Sequence, residues 1–305
     1  MKLYDILVAG EINPDLVLTG DVMPAFGQAE KLVDSASFSI GSSSAIFACG
    51  AARLGLKVGF IGVCGDDLFG HFMLDEMTRR QVDVAPVIID SSVATGMSVI
   101  LSTASDRAIL THVGSMDRLR AVQVKDELLA CSRHIHVASY FLQTALQPGL
   151  LDLFRRAHAL GLSTSLDPNW DPSGRWSGFD ELLQFVDVFL PNENEALAMT
   201  GSVNEKQALT RLAKRCSRVA IKLGPRGAIA GQEAETASCP ALKVNVVDTT
   251  GAGDSFDGGF LYGFLHTWSL ERALKLGAAC GSLSTRKAGG TTIQATLEEA
   301  LQYVD

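Results

Sequence analysis

Asp248-Thr249-Thr250-Gly251-Ala252-Gly253-Asp254-Ser255-Phe256-Asp257-Gly258-Gly259-Phe260 is the most informative stretch of this 305-residue chain. A strand-like run, Leu242–Val247, leads into it, and a helical run, Ser255–His266, leads out. Gly251, Ala252 and Gly253 are small enough for backbone N–H groups to crowd around an anion. They stand where a helix begins, so those N–H groups are unpaired and the helix dipole is positive there. The turn is built to hold a phosphate, yet it also carries a carboxylate, Asp254. A carboxylate beside a phosphate is repulsive unless the chemistry needs it. Phosphoryl transfer to an alcohol does need it: a base takes the hydroxyl proton while donors hold the transferring group. The competing reading is that Asp254 only caps its helix.

Strand-like and helical stretches alternate on the N-terminal side of this turn. Tyr4–Ala9, Val58–Val63, His134–Ala138, Ser163–Leu166, Val186–Leu190 and Val219–Leu223 are short apolar runs. Gly41–Gly55, Asp66–Arg80, Gly149–Leu160 and Glu205–Arg215 read as helices. Asp66–Arg80 carries acidic residues at its start and arginines at its end, as the macrodipole favours. This alternation predicts an α/β fold, a mainly parallel sheet flanked by helices. Residues 11–40 and 91–115 break the pattern. They hold β-like stretches (Leu16–Thr19, Lys31–Phe38, Thr95–Ser102, Arg107–His112) with no helix between them. The expectation is a core of 1–10, 41–90 and 116–305 with a small inserted antiparallel sheet as a lid. Irregular surface hairpins are the alternative.

Composition narrows the function. Hydrophobic residues make up 47% and charged residues 20%, values of a soluble globule rather than a disordered chain or coiled coil. The formal charge of −8 gives no electrostatic reason to bind nucleic acid or an anionic membrane. No apolar run reaches the roughly 18 residues of a membrane span, and the run in MKLYDILVAG is too short for a secretory leader. The six scattered cysteines read as reduced, buried thiols of a cytoplasmic protein. His134 and His136 alternate on one strand and read as structural. No G-x-G-x-x-G follows the first strand and no G-x-x-x-x-G-K-[ST] occurs, against a dinucleotide-dependent oxidoreductase and a P-loop enzyme.

The stretch 248–260 resembles the C-terminal signature of the ribokinase-like (PfkB) carbohydrate kinases. The resemblance extends over nearly the whole chain. It implies an ATP-dependent kinase that phosphorylates a sugar hydroxyl. Asp254 would be the general base, and the amides of Gly251, Ala252 and Gly253 the anion hole. Gly10-Glu11-Ile12-Asn13-Pro14-Asp15 resembles the family's first strand and turn, which makes Asn13 and Asp15 sugar contacts; Asp15 as a turn residue after Pro14 is the alternative. The segment from Gly41 and Ser42 to Gly55 resembles the family's other signature. Asn169 and Arg107 are further acceptor contacts, with Tyr140 and Gln143 as weaker candidates.

Pro191-Asn192-Glu193-Asn194-Glu195 matches the family's N-x-x-E motif, implying that Asn192 and Glu195 act through water on Mg²⁺ and the nucleotide phosphates. One carboxylate suffices, because Mg²⁺ keeps several waters. The same spacing also makes a capping box. Lys222-Leu223-Gly224-Pro225-Arg226-Gly227 resembles the family's nucleotide-binding turn, and is also readable as a hairpin; Ser282 joins Lys222, Gly224 and Gly227 on the nucleotide side. Asp248, Thr250, Ser284 and Gly289 resemble a monovalent-cation site, implying K⁺. Three positions depart from the family: Ile46 where many sugar-specific members carry Asn, Ser42 in place of one glycine of a doublet, and Asp171 where Arg is common. All three lie on the acceptor side. They leave a nucleoside kinase as an alternative, since Ile46 and Phe47 beside the acceptor would suit a base, and a non-catalytic sugar or nucleotide sensor as another. Family members often dimerise, so a homodimer through the lid is the implied assembly.

Overall fold

The computed structural model describes residues 2–103 and 106–304. Met1, Ala104, Ser105 and Asp305 lie outside it, with whatever the ranges 1–10, 91–115 and 116–305 imply for those four positions. The chain begins with β1 (Tyr4–Ala9), β2 (Pro14–Thr19), β3 (Ser35–Ile40), α1 (Ser43–Arg53), β4 (Val58–Ile61), β5 (Val63–Cys64) and α2 (Leu68–Arg79). It continues through β6 (Val82–Asp83), β7 (Ile88–Ile89), β8 (Met97–Ser102), β9 (Arg107–His112), α3 (Asp126–Ala130), β10 (Ser132–Val137), α4 (Gln147–Ala159) and β11 (Ser163–Leu166). Then follow β12 (Val188–Phe189), α5 (Glu193–Thr200), α6 (Glu205–Leu212), β13 (Arg218–Lys222), β14 (Ala228–Gln232), β15 (Glu235–Cys239), α7 (Ala252–Leu265), α8 (Leu270–Ser284) and α9 (Leu297–Leu301).

One sheet runs in the order β15-β14-β13-β12-β11-β10-β1-β4-β6. Its strands are parallel from β6 to β13, and the β13–β14–β15 edge is antiparallel. Central β1 shows why the sequence folds this way. Ile6, Leu7, Val8 and Ala9 are fully buried, as a strand covered on both faces requires. Successive side chains leave opposite faces. Ile6 and Val8 join a core with Phe47, Phe60 and Phe260, while Leu7 and Ala9 join a second core with Ile135, Phe154 and Phe189. Helices therefore pack on both sides, as the alternation predicts. Among the described residues no helix is long and apolar enough to cross a membrane.

The two inserted segments form a separate sheet of order β3-β2-β8-β9. It is mixed rather than antiparallel: β2 pairs with β8 in parallel, and each pairs antiparallel with its own return strand. β2 and β8 are the outgoing strands of two separate insertions, so side by side they point the same way.

Other expectations are corrected at particular residues. Leu242–Val247 forms no strand; the edge strand is β15, and Pro240, with no N–H to give, ends the ladder after it. Helix α7 starts at Ala252, three residues before Ser255, because Gly251 takes the left-handed conformation and serves as its N-cap. Asp67 is not in the first turn of α2 but caps it, accepting from the Gly70 amide at 2.9 Å. Val58–Val63 is interrupted at Gly62, and Val186–Leu190 shrinks to β12. Cys131 is exposed, whereas the other five thiols are buried.

Candidate active site

In an open parallel sheet, ligands sit beyond the carboxyl ends of the strands. Those ends here carry Glu11 after β1, Ser139 after β10, Asp167 after β11, Asn192 after β12 and Lys222 closing β13. The first turn of α7 brings Asp254 against them. Of these, Asp167, Asn192, Lys222 and Asp254 line a cavity of about 720 Å³ that reaches from Ser43, Arg107 and Asn169 past Asp254 to Gly224, Val246 and Ser282, while Glu11 and Ser139 stand behind that lining. Of the residues singled out in the sequence, Arg107, Asn169, Asn192, Glu195, Lys222, Gly224, Gly227, Ala252, Gly253, Asp254 and Ser282 line it.

Gly251 sits at φ 70°, and a Cβ on it would lie 2.8 Å from Ile46 Cγ2 and 2.9 Å from Gly290 Cα. A residue with a side chain would be strained and crowded here. The Ala252 amide bonds back to the Thr249 carbonyl at 3.2 Å, and the Gly253 and Asp254 amides follow it in the first helical turn, where no intrahelical acceptor exists. Asp254 is buried, at 8% exposure. Burial first, and then the nearby Asp167 carboxylate, raise its pKa to about 8; Lys222 and a Ser43 hydrogen bond oppose them. A base titrating near neutrality is matched to removing a hydroxyl proton. Asp254 does more than end a helix: the N-cap is Gly251, and the carboxylate faces the cavity.

Asn192 and Glu195 form a reciprocal capping box at the start of α5. The Asn192 amide donates to Glu195 Oε2 at 2.8 Å, and the Glu195 amide donates to Asn192 Oδ1 at 3.0 Å. Capping and cavity lining therefore coincide in this pair. Burial, then Asp167, raises the Glu195 pKa to about 7. A carboxylate already engaged by donors fits a contact to a hydrated Mg²⁺ better than direct ligation. The Gly224–Gly227 segment is a hairpin turn between β13 and β14, and it too faces the cavity.

Asn13, Asp15 and Gly41 are packed together outside that lining. The Gly41 amide donates to the Asn13 carbonyl at 3.1 Å, and Asn13 Nδ2 donates to Asp15 Oδ1 at 3.3 Å. Asn13 Oδ1 is buried without a hydrogen-bond partner. Burial lifts Asp15 to about 7 against the pull of Arg107. Arg107 projects from β9 and donates to Thr250 Oγ1 at 3.2 Å, joining the lid to the glycine turn.

Several candidates stand elsewhere. Ser42 caps α1 and donates to the Glu11 carbonyl at 2.7 Å. Tyr140 packs in the second core and donates its hydroxyl to the Gly178 carbonyl, and Gln143 donates to the Ala138 carbonyl. Ile46 packs under Gly251 and Gly290, and Phe47 stacks on His136, so neither lines the cavity. Asp171 accepts from Ser173 and from the Trp176 amide, ordering its own loop. His134 and His136 share Ser165, and burial keeps His136 uncharged, at a pKa of about 3. Asp248 accepts from the Thr250 and Gly289 amides, each at 2.9 Å, and its own amide donates to the Thr285 carbonyl at 3.1 Å, while the Ser284 hydroxyl donates to the Gly281 carbonyl.

Four acidic or basic features were not read as one unit from the sequence. Glu11 is buried and accepts from Ser42, Ser44 and Ser139. Lys222 bonds Asp167 and Asp257. The one sequence signal for Asp257 is its spacing, three residues after Asp254 on the same helix face.

A buried carboxylate in the first turn of a helix, beside a cavity at the strand ends, fits a phosphotransferase that uses an alcohol as acceptor. The model of the pfkB family carbohydrate kinases matches residues 4–297, and the chain belongs to that family. It is 29% identical to a ribokinase of Haemophilus influenzae, covering 98% of each chain. It is 27% identical to a 5-dehydro-2-deoxygluconokinase of Lacticaseibacillus casei, over 99% of this chain and 96% of that one. An Escherichia coli protein described as a ribokinase II, crystallised with ATP and Mg²⁺, has the same fold: the TM-score is 0.86 at 23% identity, with 99% of each chain covered.

Proposed function

We propose that the protein transfers the γ-phosphoryl group of ATP to a hydroxyl of a monosaccharide, with Asp254 as the base. One observation carries this reading: the buried Asp254 and the helix-start residues Ala252 and Gly253 line the same cavity. The sugar lies between the strand ends and the lid, near Asn13, Asp15, Arg107 and Asn169. The nucleotide extends past Asn192, Gly224 and Ser282. Asn192 and Glu195 would hold Mg²⁺ through water, and the ion would supply charge neutralisation for the phosphates. Asp254 takes the hydroxyl proton, and the amides hold the developing charge on the transferring group. The lid excludes water, which would otherwise compete as acceptor.

Polar side chains at the acceptor end favour a polyol. The nucleoside alternative loses its supporting residues, because Ile46 and Phe47 are turned into the core. A sensor that only binds needs no cavity-facing base, so Asp254 speaks against it. Asp248, the Thr250 carbonyl and the loop around Ser284 and Gly289 are the residues that would hold K⁺. On the lid, Leu32 and Leu110 are 85% and 61% exposed, which supports a second copy pairing through that sheet. Use of ATP fits the cytoplasm. The test is a coupled ADP-release screen against ketoses, aldoses, sugar acids and nucleosides. Release stimulated by one or more sugars or sugar acids is expected. Release stimulated by nucleosides alone, or tight sugar binding without release, overturns the reading.

A further inference from the structure

Five carboxylates crowd the strand ends around one buried ammonium. Lys222 Nζ, at the end of β13, lies 2.7 Å from Asp167 Oδ2 after β11, and 3.1 and 3.2 Å from the two Asp257 oxygens on α7. The Asp167 and Asp257 side chains are 1% exposed, and that of Lys222 is 12% exposed. A Cβ built on Gly253 would lie 3.6 Å from Lys222 Nζ, so the ammonium sits against the anion-hole turn itself. A buried carboxylate without a partner is strongly unfavourable, and here three elements meet in order to share one cation.

We propose that Lys222, gripped by Asp167 and Asp257, is a positioning residue that fixes the first turn of α7 on the sheet and holds Asp254 ready to ionise. The inference rests on Asp254 being the base. Lys222 is the cation near that base, and the carboxylates that oppose it are Asp167 after β11, Asp257 on α7, Glu11 after β1 and Glu195 on α5. Ser43 on α1 donates to Asp254, and His136 on β10 stays neutral. Arg107 reaches from the lid to Thr250 at the same turn. The alternative role for Lys222 is direct contact with the nucleotide phosphates. The two roles separate experimentally, because a lost phosphate contact raises KM for ATP without moving the titration of the base.

The test is the pH profile of kcat/KM for the sugar in Lys222→Met, Lys222→Arg and Asp167→Asn, with Asp254→Asn as reference. Lys222→Met should move the acidic limb to higher pH by about one unit, so that its loss at pH 7 is about fivefold greater than at pH 9. Lys222→Arg should restore the limb, and Asp167→Asn, which removes the carboxylate that opposes ionisation of Asp254, should move it to lower pH. If Lys222→Met does not fold, the direction of the Asp167→Asn shift decides. An inactive Asp254→Asn together with unmoved limbs, or a raised KM for ATP as the sole effect, overturns this inference alone. Wild-type turnover in Asp254→Asn overturns the base assignment and the inference with it.

Discussion

Burial of Asp254 raises its pKa, and it has a cost that stability measurements can detect. Its native pKa of about 8 is above the unfolded value of 3.8. Between those values the native state binds more protons than the unfolded one, so the stability from this group is present at low pH and lost as pH rises from 4 to 8. Asp254→Asn should therefore raise the melting temperature more at pH 7 than at pH 4. An equal gain at both pH values would contradict the raised pKa. The same value predicts that wild-type kcat/KM falls as pH drops below 8, because the base must be ionised. Gly251→Ala tests the neighbouring amides. It strains a left-handed residue and pushes a methyl group toward Ile46. Turnover should fall by about 10²-fold, the scale of a lost oxyanion donor. Near-wild-type turnover would show that the turn tolerates a side chain.

Helix α7 carries Asp254 and lies close to its neighbours. A Cβ on Gly259 would come 2.8 Å from the Leu276 carbonyl oxygen on α8. Gly259→Ala should therefore cost about 1–3 kcal/mol by overpacking, measured by denaturant unfolding; a neutral effect would show that α8 moves away freely. Much of this element was legible in the sequence. The glycine turn, the helix after it and the placing of Asp254 in the first turn follow from side-chain size and dipole alone. The preceding segment was not legible. Leu242–Val247 has strand-like composition, yet Pro240 ends the sheet, and the segment becomes cavity wall through Leu242, Val244 and Val246. The grip of Lys222 on Asp167 and Asp257 was equally hidden. It joins residues 55 and 35 positions apart, and no local pattern encodes which strand ends meet. Ile46 and Phe47 misled for the same reason: their helix was legible, but the direction they face depends on packing against Gly251 and His136.

At the scale of the molecule, two sheets meet at one place. The parallel sheet supplies strand ends and carboxylates, and the mixed sheet supplies a cover whose Arg107 reaches Thr250. Alternation along the chain predicts the parallel sheet, and the two segments that break it predict the inserted one, but not the parallel β2–β8 pairing, which depends on two distant insertions lying side by side. The exposed apolar residues of the cover predict a homodimer, to be checked by sedimentation; Leu110→Glu should shift it to monomer. A wild-type monomer at all concentrations would remove the lid interface. The proposed function turns on proton removal by Asp254, and steady-state turnover of Asp254→Asn with ATP and an accepted sugar tests that most directly. The expected result is a loss of roughly 10²–10⁴-fold in kcat with KM for ATP nearly unchanged. Turnover close to wild type would contradict it.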